Sequence, residues 1–238
     1  MGKSTSANSL KAAQRGWETT TMKASKHIAK LQHITQELPG MSHAELVKNV
    51  GLAGILWIQL RLKDMPYSTC EKIARAVKEV CLSIGATLII NDFPLLAKEV
   101  EADGVHLGKN DMSISKARKM LGDKSIIGGT ANTLEDMLKL TEEGADYIGL
   151  GPYRTTTTKK KLSPVLGMDG IQYIMNKYAG TPDIKPVIAV GGICVEDVPG
   201  LINTGIHGVA VASAINGNKN QNKAAQHFKD CFSLTPSL

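Results

Sequence analysis

Two acidic residues that follow short apolar runs are the first candidates for chemistry. Residues 87–90 are followed by Asn91 and Asp92, and residues 104–107 are followed four positions later by Asp111. Apolar runs of this length are typical of strands buried on both faces of a parallel sheet, whose carboxyl ends form the ligand-binding edge. Because two carboxylates on neighbouring strands can share one cation, the sequence predicts a Mg²⁺ site at Asp92 and Asp111.

A cationic pattern ends the apolar run before these two. Gln59, Arg61 and Lys63 alternate with Leu60 and Leu62. The period of two predicts that the three polar side chains share one side of the strand and the leucines the other. Arginine offers a bidentate fork to phosphate and lysine offers a point charge. We therefore expect an anion clamp beside the two aspartates, suited to a Mg²⁺-pyrophosphate group.

A hydroxyl-rich and basic loop follows the sixth predicted strand. It contains Thr156, Thr158 and Lys159. Hydroxyl and ammonium groups in a glycine-led loop suit phosphate oxygens and a developing negative charge. A run of threonine and lysine is also typical of a solvated loop, so this segment alone does not indicate a site.

Small residues follow the seventh and eighth predicted strands. Gly191 and Gly192 end one, and Ala212 and Ser213 follow the other. Loops in these positions commonly bind phosphate in barrel enzymes through bare backbone N–H groups and a helix N-terminus. The sequence thus predicts two anion sites, one with a metal over strands 2–4 and one without a metal over strands 7–8.

The elements that must position these groups alternate regularly. Helix-like segments follow each of the first seven strand-like runs, and Ser42, Ser68 and Thr133 each precede an acidic residue by three positions, as in a helix capping box. Eight consecutive strand–helix units predict an α/β fold, a single (β/α)8 TIM barrel spanning residues 27–238. The strand-like runs lie near residues 30–35, 54–60, 86–90, 104–107, 125–129, 145–150, 185–190 and 207–212.

An open doubly wound sheet is the alternative fold. That fold would be expected to carry a glycine-rich phosphate fingerprint after its first strand. Here the one G-x-G pattern, at residues 149–151, follows the sixth strand and has no third glycine at the required spacing. The pattern therefore favours the barrel.

Composition argues against nucleic-acid and membrane partners. The 238 residues carry a net charge of +6, but residues 1–26 hold five basic residues and one acidic residue, which leaves only +2 for the remainder. Three Phe, two Trp and five Tyr provide little aromatic surface for base stacking. No apolar stretch approaches the length that spans a bilayer. We expect small-molecule substrates instead.

Residues 1–26 are predicted to form a disordered N-terminal tail. They are rich in Ser, Thr, Ala and Lys and lack the apolar region of a secretory signal. Their composition also fits an organelle transit peptide, and Met22 is an alternative start. The four cysteines form no C-x-x-C pair and have no zinc spacing. Reduced thiols in a cytoplasmic protein are therefore expected.

Taken in order, these motifs resemble the thiamine phosphate synthase family, also called thiamine-phosphate pyrophosphorylase. The resemblance runs from about residue 30 to 215 through QLRLKD, LIINDF, GVHLGKNDM, IIGGT, ADYIGLGP, TTTK, AVGGI and GVAVASAI. It implies a (β/α)8 barrel that uses Mg²⁺ and forms a homo-oligomer. The implied reaction joins an aminopyrimidine methyl diphosphate to a thiazole phosphate, or its carboxylated form, giving thiamine phosphate and pyrophosphate.

The resemblance also implies a role for each matching residue. Asp92 and Asp111 would ligate Mg²⁺, and Gln59 would contact the pyrimidine. The residues implied to hold the diphosphate are Arg61, Lys63, Asn91 and Lys159, with Thr130 standing where the family usually has a serine that contacts pyrophosphate. Those implied to hold the thiazole phosphate are Thr156, Thr158, Gly191, Gly192, Ala212 and Ser213.

The chain departs from the family at several positions. Leu62 replaces an acidic residue, and Thr155 and Thr157 replace prolines. Arg154 stands where the family usually has an aromatic residue in the strand 6 loop. We therefore expect a more mobile loop, and the packing of the pyrimidine is the part of the resemblance that these changes affect most.

Two rival functions share this barrel. A related thiazole tautomerase uses a histidine two residues past the strand 5 Ser or Thr, where this chain has Asn132, and it lacks the T-x-T-K signature present at residues 156–159. A non-catalytic phosphate-binding regulator is expected to lose the metal aspartates, and both are present. The sequence therefore favours the synthase.

Overall fold

The computed structural model describes residues 26–155 and 164–233. Eight parallel strands hydrogen bond in chain order, and the eighth pairs with the first to close a barrel. The (β/α)8 prediction is therefore confirmed and the open sheet is wrong. The strands are β1 (Leu31–Ile34), β2 (Trp57–Leu60), β3 (Thr87–Asn91), β4 (Gly104–Leu107), β5 (Ile126–Ala131), β6 (Tyr147–Leu150), β7 (Val187–Val190) and β8 (Gly208–Val211).

Helices follow each of the first seven strands, as predicted. Two further helices after β8 complete the outer layer, and a short 3₁₀ turn at Val195–Asp197 precedes the seventh helix. The helices are α1 (His43–Leu52), α2 (Tyr67–Ile84), α3 (Pro94–Glu99), α4 (Ile114–Leu121), α5 (Leu134–Glu142), α6 (Gly167–Tyr178), α7 (Val198–Asn203), α8 (Ser213–Asn216) and α9 (Gln221–Ser233).

Two of the predicted capping boxes are present. Ser42 caps α1, since its hydroxyl accepts from the Glu45 N–H at 3.2 Å and Glu45 returns a bond to the Ser42 N–H at 2.8 Å. Thr133 and Asp136 form the same reciprocal pair at the start of α5. These caps satisfy N–H groups that have no partner within the helix.

The predicted cap at Ser68 is wrong. Helix α2 begins at Tyr67 after Pro66, whose φ of −60° and ψ of 145° direct the chain into the helix without a side-chain cap. Ser68 is therefore already helical. Glu71 instead bonds to Arg75 one turn later, at 2.7 Å. Proline fixes the entry angle through its ring, so a side-chain hydrogen bond is not needed to start this helix.

Side chains of each strand divide between two buried layers. On β2, Ile58 and Leu60 pack outward against the helices, whereas Trp57 packs inside the barrel against Tyr147. Gln59 lies on the inner side next to Trp57 in the alternation. Inward residues near the carboxyl ends therefore form the floor of the barrel mouth. No helix of the described segments is both long and apolar enough to cross a bilayer.

A buried histidine joins β1 to the outer layer. His33 is fully buried, and its Nε2 lies 2.6 Å from Asn216 Oδ1, while Asn216 donates to the Ile34 carbonyl at 2.9 Å. Burial lowers the pKa of His33 to about 4, although the Asn216 bond opposes this. His33 is therefore neutral in the folded protein at neutral pH.

This burial predicts a loss of stability in mild acid. The unfolded chain takes up a proton at His33 near pH 6.5 and the folded chain only near pH 4, so stability is full above 6.5 and falls as the pH drops toward 4. Between pH 7.5 and 5 the loss is about 2 kcal/mol. Urea unfolding of His33→Asn should show a correspondingly smaller pH dependence. The exposed His227→Asn is the control, and an unchanged pH dependence in His33→Asn would contradict the prediction.

Candidate active site

A cavity of about 210 Å³ opens at the carboxyl end of the barrel. Predicted site residues from six of the eight strands or the loops that follow them reach this mouth. Those that line the cavity are Gln59, Arg61, Lys63, Asn91, Asp92, Thr130, Gly191, Gly192, Ala212 and Ser213. Asp111 joins the site through its side-chain hydrogen bond to Asp92. The predicted residues Thr156, Thr158 and Lys159 lie outside the described residues.

The end of β2 supplies the cationic wall. Gln59, Arg61 and Lys63 face the cavity, whereas Leu60 and Leu62 are 0% and 2% exposed in the outer core. Burial lowers the pKa of Arg61, and the nearby Asp92 opposes that shift. A guanidinium stays charged across the physiological range, so the wall keeps a fixed positive group beside the aspartate.

Asp92 turns its carboxylate toward this wall. Its backbone has a φ of +67°, and its N–H donates to the His106 carbonyl at 2.8 Å, which holds the turn at the end of β3. Few residues other than glycine adopt this conformation, although aspartate tolerates it better than most. Lys63 forms an ion pair with the carboxylate. Burial would raise the pKa of Asp92, but the hydrogen bonds from Lys63 and Asp111, together with the Lys63 charge, lower it.

Asp111 folds back from the loop after β4. Its Oδ2 accepts from the Gly108 N–H at 2.6 Å, and its carboxyl group hydrogen bonds to Asp92. Burial, followed by the bond to Asp92 and the charge of Asp92, raises the pKa of Asp111. The two carboxyl groups from adjacent strands therefore meet at one point, next to the Lys63 ammonium and the Arg61 guanidinium.

The opposite wall is a glycine turn after β7. Gly191 and Gly192 have φ of +105° and +66°. A Cβ on Gly192 would lie 2.9 Å from the Cβ of Arg154, so the turn and the loop after β6 are in close contact. Sheet pairing continues there, since the Tyr153 N–H donates to the Val190 carbonyl at 2.9 Å. Any larger residue at 192 would push these loops apart.

Arg154 is directed away from the cavity. Its guanidinium forms a two-pronged ion pair with Asp197, one contact at 2.5 Å, and donates to the Gly192 carbonyl at 3.1 Å. It also lies 4.7 Å from the centroid of the Tyr153 ring. The arginine at this position therefore fastens the loop after β6 to the glycine turn.

Sequence reasoning missed Asp197 and three residues inside the barrel. Asp197 accepts from the Cys194 N–H at 2.8 Å, and the three-residue spacing of this pair is a capping signal. Gln32, His106 and Tyr147 line the floor of the cavity. The signal for two of them was a polar residue inside an otherwise apolar strand, which a barrel interior accommodates only with a hydrogen-bond partner.

Comparison with known proteins identifies the family of this chain. The family model described as thiamine monophosphate synthase matches residues 31–215. The chain belongs to the thiamine monophosphate synthase family. The family resemblance drawn from the motifs is therefore confirmed.

Relatives in this family match most of the chain. The thiamine-phosphate synthase of Bacteroides fragilis is 46% identical over 185 residues, which cover 78% of this chain and 91% of the relative. That of Flavobacterium psychrophilum is 46% identical over 194 residues, which cover 80% and 93%. The structure of thiamine phosphate pyrophosphorylase from Pyrococcus furiosus superposes with a TM-score of 0.75 at 29% identity, covering 86% of this chain and 95% of that one.

Within this member of the family, the Arg154–Asp197 pair should stabilise the fold measurably. Asp197 is 9% exposed, so Arg154→Ala leaves a nearly buried carboxylate without its cation. We expect the urea midpoint to fall by about 0.5 M. Arg75→Ala, which breaks the exposed Arg75–Glu71 pair, is the matched control and should shift it far less. Equal shifts in the two variants would show that the Asp197 pair contributes nothing special.

Proposed function

We propose that this chain is a thiamine-phosphate synthase, a transferase of a pyrimidinylmethyl group. It would condense 4-amino-2-methyl-5-pyrimidinylmethyl diphosphate with thiazole phosphate to give thiamine phosphate and pyrophosphate. The observation that carries the proposal is the division of one barrel mouth. A wall of two carboxylates and two cations faces a neutral glycine turn, which suits two phosphorylated substrates of which one leaves as pyrophosphate.

The carboxylate wall fits a magnesium ion. Asp92 and Asp111 touch each other, and burial, then the hydrogen bond between them, then their charge repulsion, raises the pKa of Asp111. A divalent cation held by both would remove that repulsion. Among residues 26–155 and 164–233 no cluster of three or more His, Cys, Asp or Glu side chains suits a metal. Two carboxylates with the remaining positions left to water and substrate phosphates are typical of Mg²⁺, which would act as a Lewis acid on the leaving group.

Residues of this chain would stabilise the departing diphosphate. The C–O bond between the pyrimidinylmethyl carbon and the diphosphate breaks, and the electron pair leaves with the oxygen. Arg61 and Lys63 line the cavity and would lie beside the point where that negative charge develops. Fixed cations in a partly desolvated site lower the barrier because they need no reorganisation when the charge appears. Lys159, which lies outside the described residues, would add a third cation.

The remaining pyrimidinylmethyl cation would be stabilised by its electron-rich aminopyrimidine ring. The thiazole nitrogen then captures it, forming the new C–N bond. The phosphate of the thiazole would bind near Gly191 and Gly192, where bare backbone can approach an anion, with Ala212 and Ser213 adjacent. Thr156 and Thr158 would complete this contact. The site therefore orients the two substrates so that nitrogen meets carbon as the diphosphate departs.

No protein nucleophile or general base is needed for this reaction. Asn132, at the position where the tautomerase has its histidine, donates its side-chain amide to the Gly151 carbonyl. Its backbone N–H donates to Asp136 at 2.8 Å. Its side chain therefore ties β5 to the loop after β6 and offers no proton-transferring group, which supports the synthase over the tautomerase.

The decisive measurement is pyrophosphate release by the purified full-length chain. We expect release, with thiamine phosphate formed in equal amount, only when aminopyrimidine methyl diphosphate, thiazole phosphate and Mg²⁺ are all present. EDTA should stop the reaction, since the carboxylate wall would then lack its cation. A folded protein that binds thiazole phosphate yet releases no pyrophosphate would overturn the proposed activity.

Substitutions should distinguish the residues of the metal and diphosphate site from other surface residues by their effect on turnover. Asp92→Ala or Lys159→Ala should each lower turnover at least about tenfold, because each removes stabilisation of a developing charge. Asp183→Ala, which removes an exposed carboxylate paired with Lys185, is the matched control and should keep full turnover. Full activity with normal magnesium dependence in both site variants would show that the metal and pyrophosphate site lies elsewhere.

A further inference from the structure

A chain of hydrogen bonds crosses the barrel interior beneath the cavity. Gln59 Nε2 donates to Gln32 Oε1 at 2.9 Å, and Gln32 Nε2 donates to the Tyr147 hydroxyl at 3.4 Å. That hydroxyl lies 3.0 Å from His106 Nδ1, and His106 Nε2 lies 3.0 Å from Thr130 Oγ1. The two ends, Gln59 and Thr130, both line the cavity.

The strands leave room for this chain of hydrogen bonds but allow the Tyr147 and His106 rings little freedom to move. A Cβ on Gly128 would lie 2.2 Å from the Tyr147 ring, and one on Gly149 would lie 2.9 Å from the His106 ring. Trp57 packs edge-on against Tyr147 with ring centroids 5.0 Å apart. Glycines in β5 and β6 therefore make space that the two polar rings occupy in a single arrangement.

The chain has a direction, because each hydroxyl carries only one hydrogen. The Tyr147 hydroxyl accepts from Gln32, which leaves its own hydrogen to be donated to its second partner, His106 Nδ1, when that nitrogen is unprotonated. An imidazole that accepts at Nδ1 carries its proton on Nε2 and donates it to Thr130. Thr130 Oγ1 then accepts from His106 Nε2, and the Thr130 hydroxyl hydrogen is available to a ligand in the cavity. Burial keeps the Tyr147 phenol protonated by raising its pKa.

At the other end of the hydrogen-bond chain, Gln59 donates a side-chain N–H to Gln32 and presents its side-chain carbonyl oxygen to the cavity. The reverse direction would require both glutamine amides to be turned over and His106 to carry its proton on Nδ1. Gln59 would then present only donors, and Thr130 only an acceptor. The two directions therefore offer opposite hydrogen-bonding patterns to whatever lies in the cavity.

We infer that Tyr147 and His106 are positioning residues that present Gln59 as an acceptor and Thr130 as a donor to the substrate. The inference rests on the proposed function, because it concerns how the aminopyrimidine diphosphate is recognised. Its ligand offers an N–H donor to Gln59 and a nitrogen or oxygen acceptor to Thr130. The aminopyrimidine has such a donor in its amino group. A 4-oxo analogue presents an acceptor at that position and should be rejected, since two acceptors would then face each other.

Calorimetric binding to the full chain with Mg²⁺ tests the positioning role. The ligands are the hydroxymethyl aminopyrimidine, its 4-oxo analogue and, separately, inorganic pyrophosphate. Wild type should prefer the amino compound over the 4-oxo compound by at least about tenfold. Tyr147→Phe, which breaks the chain of hydrogen bonds at its centre, should weaken binding of the amino compound about tenfold and weaken pyrophosphate binding much less, since pyrophosphate also has Arg61 and Lys63 to bind it.

A second buried tyrosine provides the control. Tyr178 is as buried as Tyr147, and its hydroxyl bonds outside the barrel to Thr141 at 2.8 Å. Tyr178→Phe should alter neither ligand. The inference is overturned if Tyr147→Phe binds the aminopyrimidine as wild type does, or if it loses both ligands equally, which would indicate general distortion.

The tautomer of His106 gives a test without any ligand. In uniformly ¹⁵N-histidine-labelled wild type with Mg²⁺ at pH 8, long-range ¹H–¹⁵N spectra should show His106 protonated on Nε2 alone, the signal being assigned by its loss in His106→Gln. An Nδ1–H tautomer or an imidazolium would overturn the inference. This result does not depend on turnover, so a failed synthase assay and a failed positioning role are distinguishable.

Discussion

Hydrogen bonding between β8 and β1 is the constraint on which the site depends. Once the ring is closed, every parallel strand must end at the same mouth, and side chains far apart in sequence meet there. The pairing of β3 with β4 aligns Asn91 with His106, and the next N–H, that of Asp92, bonds to the His106 carbonyl. The loop after β4 then brings Asp111 against the same carboxylate. The contact between the two carboxylates is thus a consequence of strand register.

Charge balance at the mouth follows from this contact. The half-buried Asp92 and the more exposed Asp111 lie beside Lys63 and Arg61, and burial, followed by the hydrogen bond to Asp92 and the charge of Asp92, raises the pKa of Asp111. A cation held between the two carboxyl groups would offset the repulsion between them. The glycine turn at the other wall carries no charge, so the mouth is electrostatically asymmetric.

Polar groups away from the mouth keep these walls in place. Asp197 holds Arg154, which in turn bonds to the backbone of the glycine turn, so Arg154 at the start of the loop after β6 is tied to the loop after β7. Inside the barrel, Tyr147 and His106 satisfy each other while filling space that two glycines leave. Buried polar groups are tolerated only when they are bonded in this way, and bonding also restricts their orientation.

Local pattern in the sequence determined the eight strands, the order of strands and helices, and the alternation that turns Arg61 and Lys63 toward one side, because these depend on residues a few positions apart. The start of α2 was predicted wrongly at Ser68, since proline geometry replaced the expected side-chain cap. Only the tertiary structure decided that Arg154 faces Asp197 and that His106 joins Tyr147 to Thr130. Those contacts span 24 to 43 residues, and no local rule specifies which distant partner a buried polar side chain meets.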